Sequence, residues 1–212
     1  YSELLNSLDS STMTKITINN RKINIKEFKE KILIPLRNDH LDKYRKEYND
    51  MLLEKVSGAD GIIQEKYITI TAFKKNVEEA RNFFSRVTVE LSSHFSKLGS
   101  QLEELDAIER LKILHDFYRN GHEEQFSFDM DVSMRKGHHF KDAICPQMPK
   151  FHDKYFQLGD KYGRVMYLSE YARYVKDSFI SELCSLNKNL MYSMDIITVP
   201  TYEAVKEVER KW

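Results

Sequence analysis

Residues 67–73 read YITITAF, a run that is typical of a β-strand. It is rich in β-branched and aromatic residues, and its alternation places Ile68, Ile70 and Ala72 on one side, as in a strand with one buried face. Apolar residues then recur at three- and four-residue intervals over residues 77–98 and again over 108–118. The pattern therefore predicts one strand followed by two amphipathic helices.

Local signals bound both helices. Asn76 with Glu79, and Asp106 with Glu109, have the spacing of a capping box, in which two side chains satisfy free N–H groups of the first turn. Gly99 follows the first helix and supplies a left-handed stop. The predicted apolar stripes consist of Val77, Ala80, Phe84, Val87, Leu91, Phe95 and Leu98, and then of Ile108, Leu111, Leu114 and Tyr118.

Residues 101–105 read QLEEL and lie between the two helices. We predict that they form a second, short strand. A strand, a crossover helix and another strand make a βαβ unit, so the two strands should be parallel neighbours in one sheet.

The preceding residues extend this lobe. Residues 15–18 alternate and predict a strand. The pair Asn19-Asn20 tolerates positive φ, so we expect a turn there and a hairpin that returns through Ile23 and Ile25. Two helices should follow, one through Phe28 and Ile32 that stops before Pro35 and one capped by Asp39 and closed by Gly58.

The helical and strand periodicities are lost over residues 120–154, where only residues 126–128 suggest a brief strand. Beyond them, residues 155–168 predict a hairpin around the turn at 159–163. A helix with Val175, Phe179, Leu183 and Leu186 on one face, a strand over 190–199 and a last helix capped by Thr201 complete the chain.

These elements predict an α+β protein with two small ferredoxin-like or split-βαβ lobes, whose helices pack mainly on one face of each sheet. The first lobe spans residues 1–122, an irregular connector spans 123–154, and the second lobe spans 155–212. The sequence starts without Met and stops inside a helical pattern, so we expect a piece of a longer protein whose second lobe is truncated at its C-terminal end.

Composition excludes several classes of protein. Lys and Arg number 33 against 33 Asp and Glu, so no basic surplus predicts direct nucleic-acid binding, although a local basic face is possible. The hydrophobic content of 41% argues against disorder. No apolar run approaches the roughly 20 residues of a membrane span. Two distant cysteines make no disulfide framework, which favours the cytoplasm.

The sequence contains only weak matches to motifs of catalytic, metal-binding or phosphate-binding sites. Residues 159–164 read GDKYGR and lack the Lys-Ser/Thr pair of a phosphate-binding loop. Residues of the metal-ligand type cluster in the loop 137–153, but their spacing does not match a zinc site, and Cys145 has no identifiable base. We therefore predict no catalytic residue, no metal ligand and no cofactor. The loop residues in question are His138, His139, Cys145, His152 and Asp153.

Other polar residues have ordinary structural interpretations. His115 and Asp116 lie beside an apolar face, where a satisfied or half-exposed histidine is expected. Cys184 should be a small core residue. Asp129 and Asp131 should be solvated.

Three aromatic residues of the predicted hairpin also suggest packing rather than recognition. Tyr155, Phe156 and Tyr167 could stack on bases of single-stranded RNA, but the glycine–aromatic signature of that module is missing. We therefore expect them to pack in the core or at an interface.

Seven segments together resemble the amino-terminal region of the conjugative-transfer ATPases of type IV secretion systems, the TraE/TrbE/CagE class, in the form carried by conjugative transposons of Gram-positive bacteria. They follow one another along nearly the full chain, so their order adds to the specificity of each. The segments are LDKYRKEYN (41–49), QEKYITI (64–70), KNVEEAR (75–81), ELDAIERL (104–111), MRKG (134–137), ICP (144–146) and DIITVPT (195–201).

In that family a P-loop motor follows this region, and its nucleotide-binding motifs match nothing here. The resemblance implies a non-catalytic assembly domain, inert towards ATP, that docks the motor onto membrane components at the cytoplasmic face. The implied partners are those channel components, the protein's own C-terminal ATPase domain and further copies in an oligomer, without direct nucleic-acid binding by this region.

The last helix is our candidate partner contact. Its apolar residues form one stripe that would be exposed unless further chain covers it. Those residues are Tyr202, Val205, Val208 and Trp212.

Two other functions stay open. Paired α+β lobes leave clefts, so a free-standing module that binds a small regulatory molecule is the alternative. An enzyme would require the loop 137–153 to be ordered around a deep pocket that contains His139 or His152.

Overall fold

The computed structural model describes residues 12–57, 61–146, 148–170 and 177–211. The strands are β1 (Thr12–Lys22), β2 (Ile62–Ala72), β3 (Lys150–Phe151), β4 (Phe156–Leu158), β5 (Lys161–Gly163) and β6 (Leu190–Ile197). The helices are α1 (Ile25–Ile32), α2 (Asp42–Ser57), α3 (Val77–Lys97), α4 (Ala107–Tyr118), α5 (Met130–Lys136), α6 (Lys141–Ile144), α7 (Asp177–Cys184) and α8 (Thr201–Lys211), with a 3-10 turn at Glu123–Gln125.

These elements confirm the predicted α+β class with two small lobes. The strands form two three-stranded antiparallel sheets, one in the order β2-β1-β6 and one in the order β3-β4-β5. Within the described ranges, no helix combines the length and the apolar character needed to cross a bilayer.

The chain divides into two compact units that alternate along the sequence. The described residues of the first unit lie within 1–19, 64–104 and 190–212, and those of the second lie within 20–63 and 105–189. This division differs from the successive lobes that the sequence led us to expect. The long strand β1 explains part of the difference, because its first eight residues belong to one unit and its last three to the other.

The core of the first unit forms between α3 and the sheet. Phe83, Val87 and Leu91 are buried together, and apolar residues of β2, including Ile68 and Ile70, pack against them. The predicted stripe on α3 is therefore right in its middle turns. Its end residues Val77 and Leu98 are exposed, and Phe83 takes a core position that the stripe omitted.

Residues 101–105 do not form the predicted second strand, and the parallel βαβ unit is wrong. They have no regular secondary structure, and both sheets are antiparallel. The segment contains no β-branched or aromatic side chain that would favour a pleated strand. Leu102 packs against the α3 core instead.

The predicted turn at Asn19-Asn20 is also wrong. Both residues lie inside β1, which continues to Lys22, and Ile25 begins α1 rather than a returning strand. Both asparagines are buried. The side-chain amide of Asn20 donates to the carbonyl oxygen of Cys184 at 2.6 Å, a partner far along the sequence that allows the polar residue to remain in a strand.

The predicted capping residues of α3 and α4 form their hydrogen bonds, with one partial exception. Asp106 and Glu109 make both hydrogen bonds of the capping box, each at 2.8 Å. Asn76 accepts the backbone N–H of Glu79 at 2.8 Å, but the Glu79 carboxylate accepts from Lys75 rather than from Asn76. Gly99 ends the helix with φ of 72°.

The helices α1 and α2 of the second unit lie close to their predicted positions. The first ends at Ile32, before Pro35, and the second begins at Asp42 after a turn in which the Asp39 carboxylate accepts the N–H of Leu41. The guanidinium of Arg45 contacts both aspartates, and it holds the pKa of Asp39 below its ordinary value. Gly58, the predicted stop, lies outside the described residues.

The expected irregular connector contains regular elements. The helices α5 and α6 and the strand β3 lie in it, whereas residues 126–128 form no strand. Asp129 is not simply solvated: it caps α5 by accepting the N–H of Val132 at 2.9 Å. Gly137 ends that helix with φ of 68°.

The second part of the chain keeps its predicted elements but changes their bounds. The hairpin β4-β5 turns at Gly159 and Asp160, and residues 164–168 are not part of a strand. The helix α7 ends at Cys184, which is buried as expected, whereas Val175 lies outside the described residues. The strand β6 and the helix α8 follow, but β6 ends at Ile197 rather than at residue 199, and Thr201, the predicted cap, is the first residue of α8.

Candidate functional site

The helix α8 presents an exposed apolar face. Tyr202, Val205 and Val208 are 63%, 51% and 58% exposed. Spacings of three residues keep these side chains within about one third of the helix circumference. Trp212, the fourth predicted contact residue, lies outside the described residues. The three described members therefore form a continuous surface that could bind an apolar partner.

The Tyr202 hydroxyl is already engaged at the edge of this face. It donates a hydrogen bond to the Glu203 carboxylate at 2.7 Å, and this bond raises the pKa of the tyrosine. A partner that covers α8 would thus meet an apolar ring whose polar end is satisfied within the helix.

A buried polar pair lies on α4. His115 is fully buried, and Asp116 is 4% exposed. The Nδ1 atom of His115 lies 3.2 Å from Oδ1 of Asp116, and the Phe126 ring contacts the imidazole edge-on at a centroid distance of 5.2 Å. Nε2 of His115 has no hydrogen-bond partner among the described atoms. The pair is therefore more deeply buried than the half-exposed position we expected.

Burial raises the pKa of Asp116, because the charged carboxylate is separated from water. The hydrogen bond to His115 and the positive charges of Arg21 and Lys112 act in the opposite direction. A carboxylate in this position can hold the proton on Nδ1 and leave Nε2 as an acceptor.

The loop 137–153 does not bring its candidate ligands together around a metal. Nδ1 of His139 accepts the N–H of Lys141 at 3.1 Å, and the His152 ring stacks on Tyr155 at a centroid distance of 4.4 Å. Cys145 is exposed, and its carbonyl oxygen accepts a hydrogen bond from Arg119 at 2.8 Å. Among the residues that the structure describes, no group of three or more His, Cys, Asp or Glu could hold a metal ion.

A cavity of about 400 Å³ lies in the second unit. It is formed by the link between β1 and α1, by the residues after α4, and by Lys161 and Asn189. Its size suits a small molecule, and its lining includes the charged residues Lys161, Glu123 and Glu124. Neither His139 nor His152 lines it. The lining residues are Lys22, Ile23, Asn24, Ile25, Asn120, Gly121, Glu123, Glu124, Lys161 and Asn189.

The small sheet and the residues after it carry the surface that the sequence interpretation missed. Seven described large apolar side chains are at least 75% exposed, and five of them lie between residues 148 and 167. Tyr155 and Tyr167 are thus exposed and not in the core, whereas Phe156 is half-buried over Gly163. Packing at an interface stays a prediction for these two tyrosines. We call this exposed surface the hairpin surface; it consists of Phe151, Tyr155, Tyr162, Val165, Met166 and Tyr167.

A sequence signal for this surface exists. Four successive apolar residues, Val165 to Leu168, follow Arg164 directly after a glycine-containing turn. We interpreted these residues as a strand, and in a strand with one buried face alternate side chains are expected to be buried. That interpretation therefore did not predict their exposure.

Comparison with protein-family models, with curated proteins and with solved structures gave no match to this chain.

Proposed function

We propose that this chain is a non-catalytic assembly domain of a conjugation ATPase of a type IV secretion system, which docks the motor onto membrane-bound components of the DNA-transfer machinery. The resemblance of seven ordered segments motivates the assignment. The exposed face of α8 is the structural observation that carries it, since it offers a continuous apolar surface formed by Tyr202, Val205 and Val208. In this proposal the domain is peripheral at the inner face of the cell membrane.

The apolar face of α8 is of a kind that an adjoining domain or subunit covers. An amphipathic helix gains stability when its apolar stripe is buried, and interface cores are enriched in aromatic side chains such as Tyr202. The proposed occupants are the C-terminal ATPase domain and membrane components of the channel. Oligomers of the full-length protein would place several such faces around one channel.

A binding experiment with membrane components tests this role. Detergent-solubilised channel components of a Gram-positive conjugative transposon would be titrated onto the immobilised chain. Because Val205→Asp places a charge in the centre of the face, it should weaken binding at least about tenfold. Glu209→Ala, on the same helix, should leave binding within about twofold. Equal binding by the Val205→Asp variant would contradict the proposal.

Self-association provides a second test of the same face. Light scattering over a range of concentrations should show a mass that increases with concentration, and the Trp212→Ala, Val208→Asp double variant should remove that increase. ATP hydrolysis above background that one point mutation in this chain abolishes would refute the non-catalytic assignment.

The cavity in the second unit favours one alternative function, that of a regulatory module which binds a small molecule. Its volume of about 400 Å³ falls in the usual range for ligand sites. A thermal-shift screen of polar metabolites would support this alternative if one compound raised the melting temperature of the wild-type chain but not of a Lys161→Ala variant.

A further inference from the structure

We infer that the hairpin surface binds the surface of an anionic lipid bilayer. This inference deepens the membrane placement in the proposed function, but it depends on the hairpin surface alone and not on the α8 face. It also assigns a role to Tyr155 and Tyr167, which we had expected to pack in the core or at an interface.

The first observation is that each side of the small sheet carries an exposed aromatic side chain. Lys150, Gln157 and Tyr162 are register partners in one row, and Phe151, Phe156 and Gly163 are partners in the next. Neighbouring rows of a sheet point to opposite faces. Tyr162 and Phe151 therefore project on opposite sides of the sheet, and both are exposed, at 70% and 80%.

The residues after β5 extend this property. Val165, Met166 and Tyr167 are 80%, 77% and 86% exposed, and Leu168 follows them. Successive side chains point about 100° apart in a helix and to opposite sides in a strand, so four in a row cannot share one face. A protein groove would cover only one side of this segment. At a bilayer surface the backbone can stay in the hydrated headgroup layer, where its polar groups find partners, while these side chains enter the boundary of the acyl chains.

Charge is the second observation. Residues 150–164 contain four cationic residues and two carboxylates. One carboxylate, Asp160, is paired with Lys161 at 3.0 Å. Within residues 150–164, Lys150, Lys154 and Arg164 then outnumber the one further carboxylate, that of Asp153. All three of these cations are exposed. Cations beside an apolar segment are attracted to the negatively charged headgroups of anionic lipids.

The aromatic residues fit the same occupant. Tyr155, Tyr162 and Tyr167 each have an apolar ring and a polar hydroxyl, and tyrosine is enriched at the boundary between lipid and water. Stacking on single-stranded nucleic acid would use these rings but would leave Val165 and Met166 without a role. Lipid binding accounts for both the aliphatic and the aromatic members of the hairpin surface.

Vesicle flotation with the 212-residue chain tests this inference. Vesicles of phosphatidylcholine mixed with phosphatidylglycerol should carry the protein, and vesicles of pure phosphatidylcholine should carry much less. Because increasing salt screens the cations, raising it from about 0.1 to 0.5 M should lower the bound fraction. Failure of the wild-type chain to float with the anionic vesicles would overturn the inference.

The decisive variant replaces Val165, Met166 and Tyr167 together with serine. Its partition coefficient for anionic vesicles should fall at least about tenfold, since three side chains can no longer enter the apolar phase. The matched control replaces Phe73 and Leu98 with serine, because these residues are similarly exposed, at 84% and 75%, in the other unit. The control should bind within about twofold of wild type.

Unchanged binding by the triple serine variant would overturn the inference, provided that circular dichroism shows all chains folded. A wild-type chain that binds a single-stranded oligonucleotide through Tyr162, but not the vesicles, would also overturn it. A loss of channel binding by Val205→Asp with normal flotation would leave this inference intact, so the two proposals can fail separately.

Discussion

Nδ1 of His115 and Oδ1 of Asp116 lie 3.2 Å apart, although the two residues are neighbours in one helix. Consecutive residues of a helix do not normally face each other, so this contact requires both side chains to turn towards the same buried region. The surroundings then control the protonation of the carboxylate. This pair is the clearest source of pH-dependent stability in the described residues.

We expect Asp116 to make the folded state less stable as the pH rises above about 3.9, the pKa of an aspartate in the unfolded chain. Burial raises the pKa of Asp116 in the folded state, so the folded chain binds more protons than the unfolded chain in this window. The stabilisation is complete below the unfolded pKa and is lost as the pH rises through the folded pKa. Asp116→Asn should remove this loss, so its unfolding free energy should increase relative to wild type between about pH 4 and the raised pKa.

Urea unfolding at a series of pH values measures this difference. The comparison should be repeated in a His115→Gln background, where the hydrogen bond from the imidazole to Asp116 is absent. A difference between the Asp and Asn chains that stays constant across the pH series would contradict the prediction.

Asn20→Ala should destabilise the end of α7. The wild-type amide donates to the carbonyl oxygen of Cys184, which is itself buried, and the loss of this bond should cost about 1–3 kcal/mol. The thiol of Cys184 reports the effect: in a Cys145→Ser background it should react faster with a thiol reagent when Asn20 is alanine. Asn189→Ala, at an exposed position, should leave the rate unchanged.

Gly163→Ala should destabilise the β4-β5 hairpin, because a Cβ at this position would overlap the Phe156 ring. We expect a cost of about 1–3 kcal/mol, measured as faster amide hydrogen exchange over residues 156–163. Adding Phe156→Leu should restore part of the protection, since the smaller side chain makes room for the methyl group. No restoration in the double variant would show that the overlap is not the cause.

Leu91→Ala should cost about 2–5 kcal/mol of unfolding free energy, because Leu91 lies in the core formed by α3 and the sheet. Leu98→Ala makes the same chemical change at the end of the same helix, where the side chain is 75% exposed. Its cost should stay below about 0.5 kcal/mol. Denaturant unfolding of both variants checks the prediction, and equal costs would contradict the assignment of the core.

Local signals in the sequence predicted the helices well. The capping residues Asp106 and Glu109 and the stop at Gly99 act within one helical turn, so their effect can be read from neighbouring residues. The strands depended more on distant partners. Asn20 can remain in β1 because Cys184, 164 residues away, accepts its amide hydrogen, and no pattern around Asn20 contains that information.

The candidate sites likewise differ in whether neighbouring residues or distant contacts determine them. The helical period was sufficient to place Tyr202, Val205 and Val208 on one exposed face. Whether the hairpin aromatics are buried could not be predicted, because it depends on which element covers the small sheet. The burial of His115 likewise depends on contacts such as that with Phe126, which lies beyond the end of its own helix.

The strand β1 lies in the centre of the order β2-β1-β6, and the ribosome synthesises its two partner strands at different times. Its partner β2 is complete at residue 72, but its other partner begins only at residue 190. At translation rates of about 5–20 residues per second, one edge of β1 waits on the order of 10 s for its strand. During that interval the nascent chain carries an open sheet edge, which can pair with a strand of another chain.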